Sequence, residues 1–159
     1  MNRILLEQML QTMKKLLKEG KNIGNLKIGA LYALGNQLEA VFYFIGHELG
    51  SKLGNDFDAD KIIDGIIDIS NRFHIGEIEI VEDNLPQAVT FTLDGAQSSQ
   101  HIEPPADTTN VPTGICSFEA GLYAGYVEKI TGKHVFAQQL ESKIQGDGVD
   151  KFMLVFSED

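Results

Sequence analysis

The spacing of the apolar residues changes near the middle of the chain, and this change restricts the fold more than any other feature. From Ile62 to Phe73 the apolar residues recur at intervals of four, three and four, which places them on one face of a helix. From Glu77 to Ile80 glutamate and isoleucine alternate, which is typical of a strand with one solvated and one buried face. The chain therefore combines helices with a sheet.

The same two patterns divide the rest of the chain. Helices are predicted at about Leu6 to Leu17, Lys27 to Leu53, Asp58 to Phe73 and Thr113 to Ile130, and strands at about Gly76 to Glu82, Val89 to Leu93, His134 to Ile144 and Val149 to Phe156. This order, ααα-ββ-α-ββ, predicts a single α+β domain over residues 1–159. We expect an antiparallel sheet of about four strands with the helices packed on one side.

The charge and cysteine content exclude several classes of partner. The 159 residues carry 13 Lys and Arg against 23 Asp and Glu, and a net charge of −10 repels nucleic-acid phosphates and anionic lipid heads. Cys116 is the only cysteine, so no intramolecular disulfide can form, and a lone thiol is typical of a reducing compartment. No apolar run approaches the length of about 20 residues that a membrane span needs. We expect a cytoplasmic protein with no nucleic-acid partner and no membrane span.

Four glycines lie inside the second predicted helix, at Gly29, Gly35, Gly46 and Gly50, and each weakens a helix interior by roughly 0.5 to 1 kcal/mol relative to alanine. In the fourth predicted helix Gly121 and Gly125 create a flat stripe. Close approach of another backbone, or of a ligand, would offset that cost. The sequence leaves both explanations open.

The polar stretch from Gly95 to Pro112 is too long for an ordinary connection in a compact domain. Segments of this kind are either disordered surface loops or lids over a binding site. As a lid, this loop would bring His101 and Glu103 to a pocket. As a surface loop, it would have no functional role.

The sequence carries no strong catalytic motif. It has neither a phosphate-binding glycine loop nor a nucleophile elbow, and His47-Glu48 lacks the second histidine of a zinc hydrolase because Ser51 stands in that place. Cys116 has no histidine assigned as its base. We therefore expect a small-molecule-binding domain that is not a self-sufficient enzyme. The candidate lining residues, which could equally be plain core, are Phe42, Tyr43, Ile45, Gly46, His101, Tyr123 and Tyr126.

The last predicted hairpin places acidic residues near apolar ones. If its loop has an even number of residues, Lys143 faces Asp150, and Glu141 lies on an apolar sheet face. A buried Glu141 then needs a partner, which Lys143, a metal or a polar ligand could supply. The opposite face of this hairpin is also apolar, which predicts a dimer contact or a covering loop there.

The segment from Cys116 to Phe152 resembles the 4-vinyl reductase domain. Its features are a Cys that opens a helix, two spaced helical glycines, a third glycine after the helix, a Glu on the next strand, a Gly-Asp turn and a Phe. The resemblance implies an α/β domain, often dimeric, that is related in fold to subunits of a vesicle-tethering complex. In bacterial regulators such domains sense aromatic hydrocarbons.

The resemblance also implies a zinc ion, held by the Cys, the strand Glu and two further Cys that flank the turn. Cys116 and Glu141 match the first two ligands, whereas Ile144 and Asp150 stand near the positions of the other two. Zinc is therefore possible only with an incomplete ligand set. An ion-pair cluster that includes Lys143 is the alternative occupant of this place.

Three functions remain open at this stage. The first is a binding or sensing domain for a small apolar or aromatic molecule, acting as a homodimer and passing its signal to a protein partner. The second is an adaptor whose main role is a protein interface. The third, implied by the resemblance, is a non-catalytic subunit in tetrapyrrole reduction.

Overall fold

The computed structural model describes residues 36–54, 61–100 and 115–157. Its helices are α1 (Asn36–Leu53), α2 (Ile62–Arg72) and α3 (Ser117–Thr131), and its strands are β1 (Glu77–Asn84), β2 (Ala88–Asp94), β3 (Val135–Glu141) and β4 (Asp150–Phe156). A short 3-10 turn at Lys143–Gln145 joins β3 to β4. The α+β class and the predicted order are confirmed. Outside the described ranges lie the first predicted helix, the predicted helix starts at Lys27 and Asp58, the glycines Gly29 and Gly35, and the loop residues His101 and Glu103.

The four strands form one antiparallel sheet in the order β1-β2-β4-β3. Phe91 of β2 pairs with Ile80 of β1 on one side and with Phe152 of β4 on the other. Because side chains alternate along a strand, these three residues mark the inner face of the sheet. Within the described ranges, no helix is both long and apolar enough to cross a membrane.

Helix α3 packs against the inner face through aromatic contacts. The Tyr123 ring meets Phe91 edge-on with 5.2 Å between ring centroids, and Phe91 stacks on Phe152 at 5.6 Å. Ile66 and Ile69 of α2 belong to the same buried cluster. Full burial of such side chains stabilises a fold by about 1.5 to 3 kcal/mol each, so this cluster fixes α2 and α3 on the sheet.

Helices α1 and α3 touch each other through their backbones. A Cβ atom added to any of four glycines would lie only 2.0 or 2.1 Å from a carbonyl oxygen of the opposite helix. The four contacts join Gly46 to Phe118, Gly50 to Leu122, Gly121 to Tyr43 and Gly125 to His47. Another backbone, rather than a ligand, therefore offsets the cost of these glycines.

Tyr43 of α1 reaches the exposed edge of the sheet. The backbone N–H of Ala137 in edge strand β3 donates a hydrogen bond to the Tyr43 hydroxyl oxygen at 3.1 Å. Burial raises the pKa of the Tyr43 phenol above its ordinary value, and this outweighs the lowering by the Ala137 bond. The phenol remains neutral at physiological pH and covers part of an edge that would otherwise present free backbone groups.

A carboxylate joins α1, α3 and the start of β3. Glu128 Oε2 lies 2.9 Å from His134 Nδ1, 3.6 Å from His47 Nε2 and accepts the Val135 N–H at 3.1 Å. Burial raises the pKa of Glu128, but the Val135 bond and the two histidines outweigh it, so the pKa lies below the ordinary 4.5. The ionised form of Glu128 is therefore the form that the fold stabilises.

Glu128→Gln is expected to lower stability at about pH 7 and to have less effect at about pH 3. The contribution of a group with a lowered pKa is fully present above its unfolded value and is lost as pH falls through the folded value. Urea unfolding of both proteins at the two pH values measures this gap. A gap that stays constant with pH would show that the Glu128 charge does not contribute.

The register of the β3–β4 hairpin differs from the prediction. A bulge between Gln139 and Glu141 places Glu141 opposite Lys151, and Lys151 Nζ lies 2.6 Å from Glu141 Oε1. The predicted burial of Glu141 is wrong, since its side chain is 38% exposed, and Gln139 takes the inward position instead. One extra residue moves every later side chain to the other face, and the sequence gives no sign of the bulge.

Candidate functional site

Polar side chains gather at one end of the core, where α3 begins. This polar cluster comprises Ser98, Ser99, Cys116, Ser117, Glu119, Gln139, Ser142 and Asp150, of which six are buried. Its members come from the loop after β2, the first turn of α3, the end of β3 and the start of β4. A buried polar group is costly unless it is hydrogen-bonded, so apolar packing alone does not explain this end of the core.

Asp150 is the best-satisfied member of the polar cluster. Its side chain is 1% exposed, and its carboxylate accepts bonds from Ser99 Oγ at 2.7 Å, Gln139 Nε2 at 3.0 Å and the Lys143 backbone N–H at 3.1 Å. Hydrogen bonds to a charged group are worth about 1.5 to 3 kcal/mol each. Asp150 therefore joins β4 to the loop, to β3 and to the 3-10 turn.

Gln139 connects Asp150 to the start of α3. Its amide nitrogen donates to Asp150, and its amide oxygen accepts the backbone N–H of Cys116 at 3.2 Å. Cys116 is the N-cap residue of α3 and is completely buried. A single amide thus satisfies one of the backbone donors that a helix leaves free at its beginning.

Glu119 is buried but only half satisfied. Its side chain is 1% exposed, and Oε1 accepts the backbone N–H of Ser98 at 2.9 Å. Among the residues that the structure describes, Oε2 has no hydrogen-bond partner, and neither have the buried hydroxyls of Ser117 and Ser142. Buried polar atoms without a partner are rare in native proteins, and each indicates an ion, a water or a ligand that completes its bonding.

Tyr123 lies one helical turn beyond Glu119. Burial raises the pKa of the Tyr123 phenol far above its ordinary 10.0, and the nearby Glu119 and Cys116 raise it further against the lowering by a Ser70 bond. The neutral phenol donates to Ser70 Oγ at 3.0 Å, and Ser70 Oγ donates to the Gly76 carbonyl at 2.5 Å. Ser70 also lines an open cleft of about 410 Å³ between the end of α2, the start of β1 and the end of β2.

The first residues of the predicted Gly95–Pro112 loop are tied to both buried carboxylates. Ser98 donates its backbone N–H to Glu119, and Ser99 donates its hydroxyl to Asp150. Ala96 and Ser99 are buried. Up to residue 100 this segment is therefore part of the polar cluster, and the rest of the predicted loop lies outside the described ranges.

The donor set does not fit the zinc site that the resemblance implies. Among the described residues, no three or more His, Cys, Asp or Glu side chains form a group suited to a metal. Glu141 pairs with Lys151 outside the cluster, Ile144 has no donor atom, and Asp150 is occupied by three hydrogen bonds. Gln139, which faces Cys116 in place of Glu141, is a neutral amide, whereas structural zinc takes thiolate, imidazole or carboxylate. The expected cluster around Lys143 also differs, because Lys143 Nζ pairs with Asp94 at 3.2 Å.

The predicted ligand-binding residues are spread over several places. Tyr123 and Tyr126 are completely buried, and only Tyr123 has a described link to the polar cluster. Phe42 and Tyr43 are half-buried on α1, Ile45 is 49% exposed there, and Gly46 lies in the α1–α3 contact. His101 lies outside the described ranges. The lining role of these residues stays a prediction.

The sequence interpretation missed Glu119 and Gln139. Glu119 precedes Tyr123 by four residues, so the two side chains lie on the same face of α3. That position was the available signal for a buried acid. Strand alternation predicts that Gln139 points inward. Its partners could not be predicted, because they depend on the bulge in β3 and on where α3 begins.

Comparison with known proteins assigns the chain to a family. Its sequence matches no established family profile. The uncharacterized protein MJ0150 of Methanocaldococcus jannaschii is 30% identical over 132 residues, which span 81% of this chain and 70% of that protein. The chain belongs to the same family as this archaeal protein. The family assignment by itself brings no activity, since that relative is uncharacterized.

Solved structures identify the fold of this MJ0150-family chain. A vinyl-4-reductase family protein from Methanocaldococcus jannaschii is 21% identical with a TM-score of 0.51, over 99% of this chain and 98% of that one. The phenol-responsive sensory domain of the transcription activator PoxR, solved with phenol, is 13% identical with a TM-score of 0.62, over 84% and 72%. Subunit 3 of a trafficking protein particle complex from Naegleria fowleri, covalently bound to palmitic acid, is 10% identical with a TM-score of 0.63, over 98% and 94%. The predicted fold relation to 4-vinyl reductase domains and vesicle-tethering subunits is confirmed.

Proposed function

We propose that this chain is a small-molecule-binding domain whose ligand contacts the polar cluster at the start of α3. The observation that carries the proposal is the set of buried oxygen atoms without partners at Ser117, Glu119 and Ser142. An evolved interior satisfies such atoms, and a bound molecule is one means of doing so. Apolar neighbours such as Phe91 and Tyr123 supply the surface on which the rest of the molecule packs.

Proteins with this fold support the same function. The PoxR sensory domain holds phenol and the trafficking subunit holds palmitic acid. Both ligands combine an apolar body with one oxygen-bearing end. A molecule of this composition suits a site with a polar cluster at one end of an apolar core. Fold likeness alone does not determine function, so the argument depends on the unpartnered atoms of this chain.

Native mass spectrometry of freshly purified protein tests the proposal. We expect a small organic molecule to be retained, or a rise in the thermal midpoint when phenol or a long-chain alcohol is added, because a ligand that binds only the folded state stabilises it. A protein that retains no molecule and shows no shift with any added probe would contradict the proposal.

We further propose that two copies associate through the outer face of the β3–β4 hairpin. Phe136 is 57% exposed there, and it pairs across the strands with exposed Val155, while Leu140 is exposed on the same side of β3 two outward positions further on, beyond Gln138. Adjacent exposed apolar side chains of this kind mark an interaction surface. An adaptor role would use the same surface, with a different protein as the partner.

Leu140→Lys is expected to convert a dimer to a monomer, because a lysine in the centre of an apolar contact has no partner for its charge. Val81→Lys is the matched control, since Val81 is similarly exposed on the distant strand β1. Light scattering coupled to size exclusion reads the mass of each variant. A monomeric wild type, or equal masses for both variants, would contradict the dimer.

A further inference from the structure

A glutamate at the position of Glu119 commonly caps the start of its helix, but Glu119 does not have that role here. As the third residue of α3, a glutamate commonly bonds back to the backbone N–H of the N-cap residue. Here the Cys116 N–H is already bonded to Gln139 Oε1, and Glu119 Oε1 turns to Ser98 instead. Oε2 therefore bonds neither the Cys116 N–H nor the Ser98 N–H, although it is fully buried.

A second buried polar atom in the first turn of α3 also lacks a partner. The hydroxyl of Ser117, two positions before Glu119, is buried and has no hydrogen-bond partner among the residues that the structure describes. Both atoms belong to side chains that are more than nine-tenths buried. Two independent atoms in one helical turn therefore require bonding that the described protein groups do not supply.

The chemistry of the Glu119 carboxylate determines which ligand group can bond to Oε2. An ionised carboxylate only accepts hydrogen bonds, so its partner must bring a donor. A ligand carboxylate in its charged form brings only acceptors, so it cannot supply the donor that Oε2 lacks. A hydroxyl or an amine meets the requirement, and a carboxylic acid in its charged form does not.

From these observations we infer that the ligand is an apolar molecule with a neutral hydroxyl or an amine, and that this donor binds Glu119 Oε2. The inference rests on the proposed function and names the ligand class for the same site. Under this inference phenol, the ligand in the PoxR structure, presents a donor to Glu119, whereas free palmitate would present only acceptors.

Two matched probe series test the inference by calorimetry at about pH 7. The ring series is phenol, benzylamine, toluene and benzoate, and the chain series is hexadecan-1-ol and palmitate. In the ring series we expect phenol or benzylamine to bind about tenfold to a hundredfold more tightly than toluene and benzoate, the range of one hydrogen bond to a charged group. Benzylamine and phenol distinguish an amine from a hydroxyl.

Glu119→Gln is expected to reduce that preference to less than about threefold and to strengthen benzoate binding relative to phenol, because the amide is neutral and presents a donor. Glu79→Gln, the same change on the exposed outer side of β1, is the control and is expected to bind as wild type. Circular dichroism checks that each variant is folded. Glu119→Asp keeps the charge and is expected to keep the rejection of benzoate, which maintains the test if the Gln variant does not fold.

The possible outcomes test the ligand class separately from the proposed small-molecule binding. Benzoate binding as tightly as phenol or benzylamine, or palmitate binding as tightly as hexadecan-1-ol, would overturn the inference while leaving small-molecule binding in place. Unchanged discrimination in Glu119→Gln would do the same. Absence of binding by all six probes to wild type would overturn the proposed function together with the ligand class.

Discussion

Gly50→Ala is expected to destabilise the fold by about 3 kcal/mol or more, although alanine is the better helix former. The added methyl group would lie 2.0 Å from the Leu122 carbonyl oxygen and 2.8 Å from the Tyr126 nitrogen. Both atoms belong to the backbone of α3, so no side-chain rotation can relieve the overlap. The two helices must separate, and the separation disturbs the whole α1–α3 contact.

Urea unfolding of Gly50→Ala beside Glu48→Ala isolates this effect. Glu48 is exposed two residues earlier on α1, where alanine is expected to change stability by less than about 0.5 kcal/mol. A Gly50→Ala protein as stable as wild type would mean that α1 and α3 are further apart than described. Gly121→Ala repeats the test from α3, with the Tyr43 carbonyl oxygen at 2.0 Å.

Asp150→Ala is expected to destabilise the fold by about 3 to 5 kcal/mol. The change removes the common acceptor of Ser99, Gln139 and the Lys143 N–H, which then remain in the interior with fewer partners. Asp150→Asn is expected to cost only about 1 to 2 kcal/mol, because its amide oxygen still accepts two bonds and the Ser99 hydroxyl can rotate to accept from the new NH₂.

The graded pair distinguishes the geometry of the hydrogen-bond network from the charge of Asp150. Urea unfolding gives the free energy of each variant, and amide exchange at residues 96–100 reports whether the loop is released from β4. Equal losses in Asp150→Asn and Asp150→Ala would show that charge rather than geometry holds this end of the core. No loss in either variant would contradict the network itself.

Much of the secondary structure could be predicted because it depends on local spacing. The helix end at Leu53, the α3 end before Gly132, where φ is 69°, and the four strands all follow from apolar periodicity and glycine stops. The sequence also indicated that the helical glycines need a close neighbour. It could not show that the neighbour is another helix, because a close backbone and a close ligand would each offset the cost of the glycines.

The site was predicted less well, since its residues are far apart in the chain. Asp150 meets Ser99 across 51 positions and Gln139 across 11, and such partners follow from strand register rather than from local pattern. The strand pairing predicted Glu141 as the inward acid, and the resemblance implied it as a zinc ligand. The bulge in β3 moves Glu141 to Lys151 and leaves Gln139 inside.

By itself, the sequence determined the elements, their order and the α+β class, because the period of apolar residues and the freedom of glycine act over a few neighbouring residues. Only the tertiary structure decided which glycines face which carbonyls, which acids are buried and which buried oxygens remain without partners. Those facts depend on distances between segments remote in the chain, and a shift of one residue in a strand changes all of them.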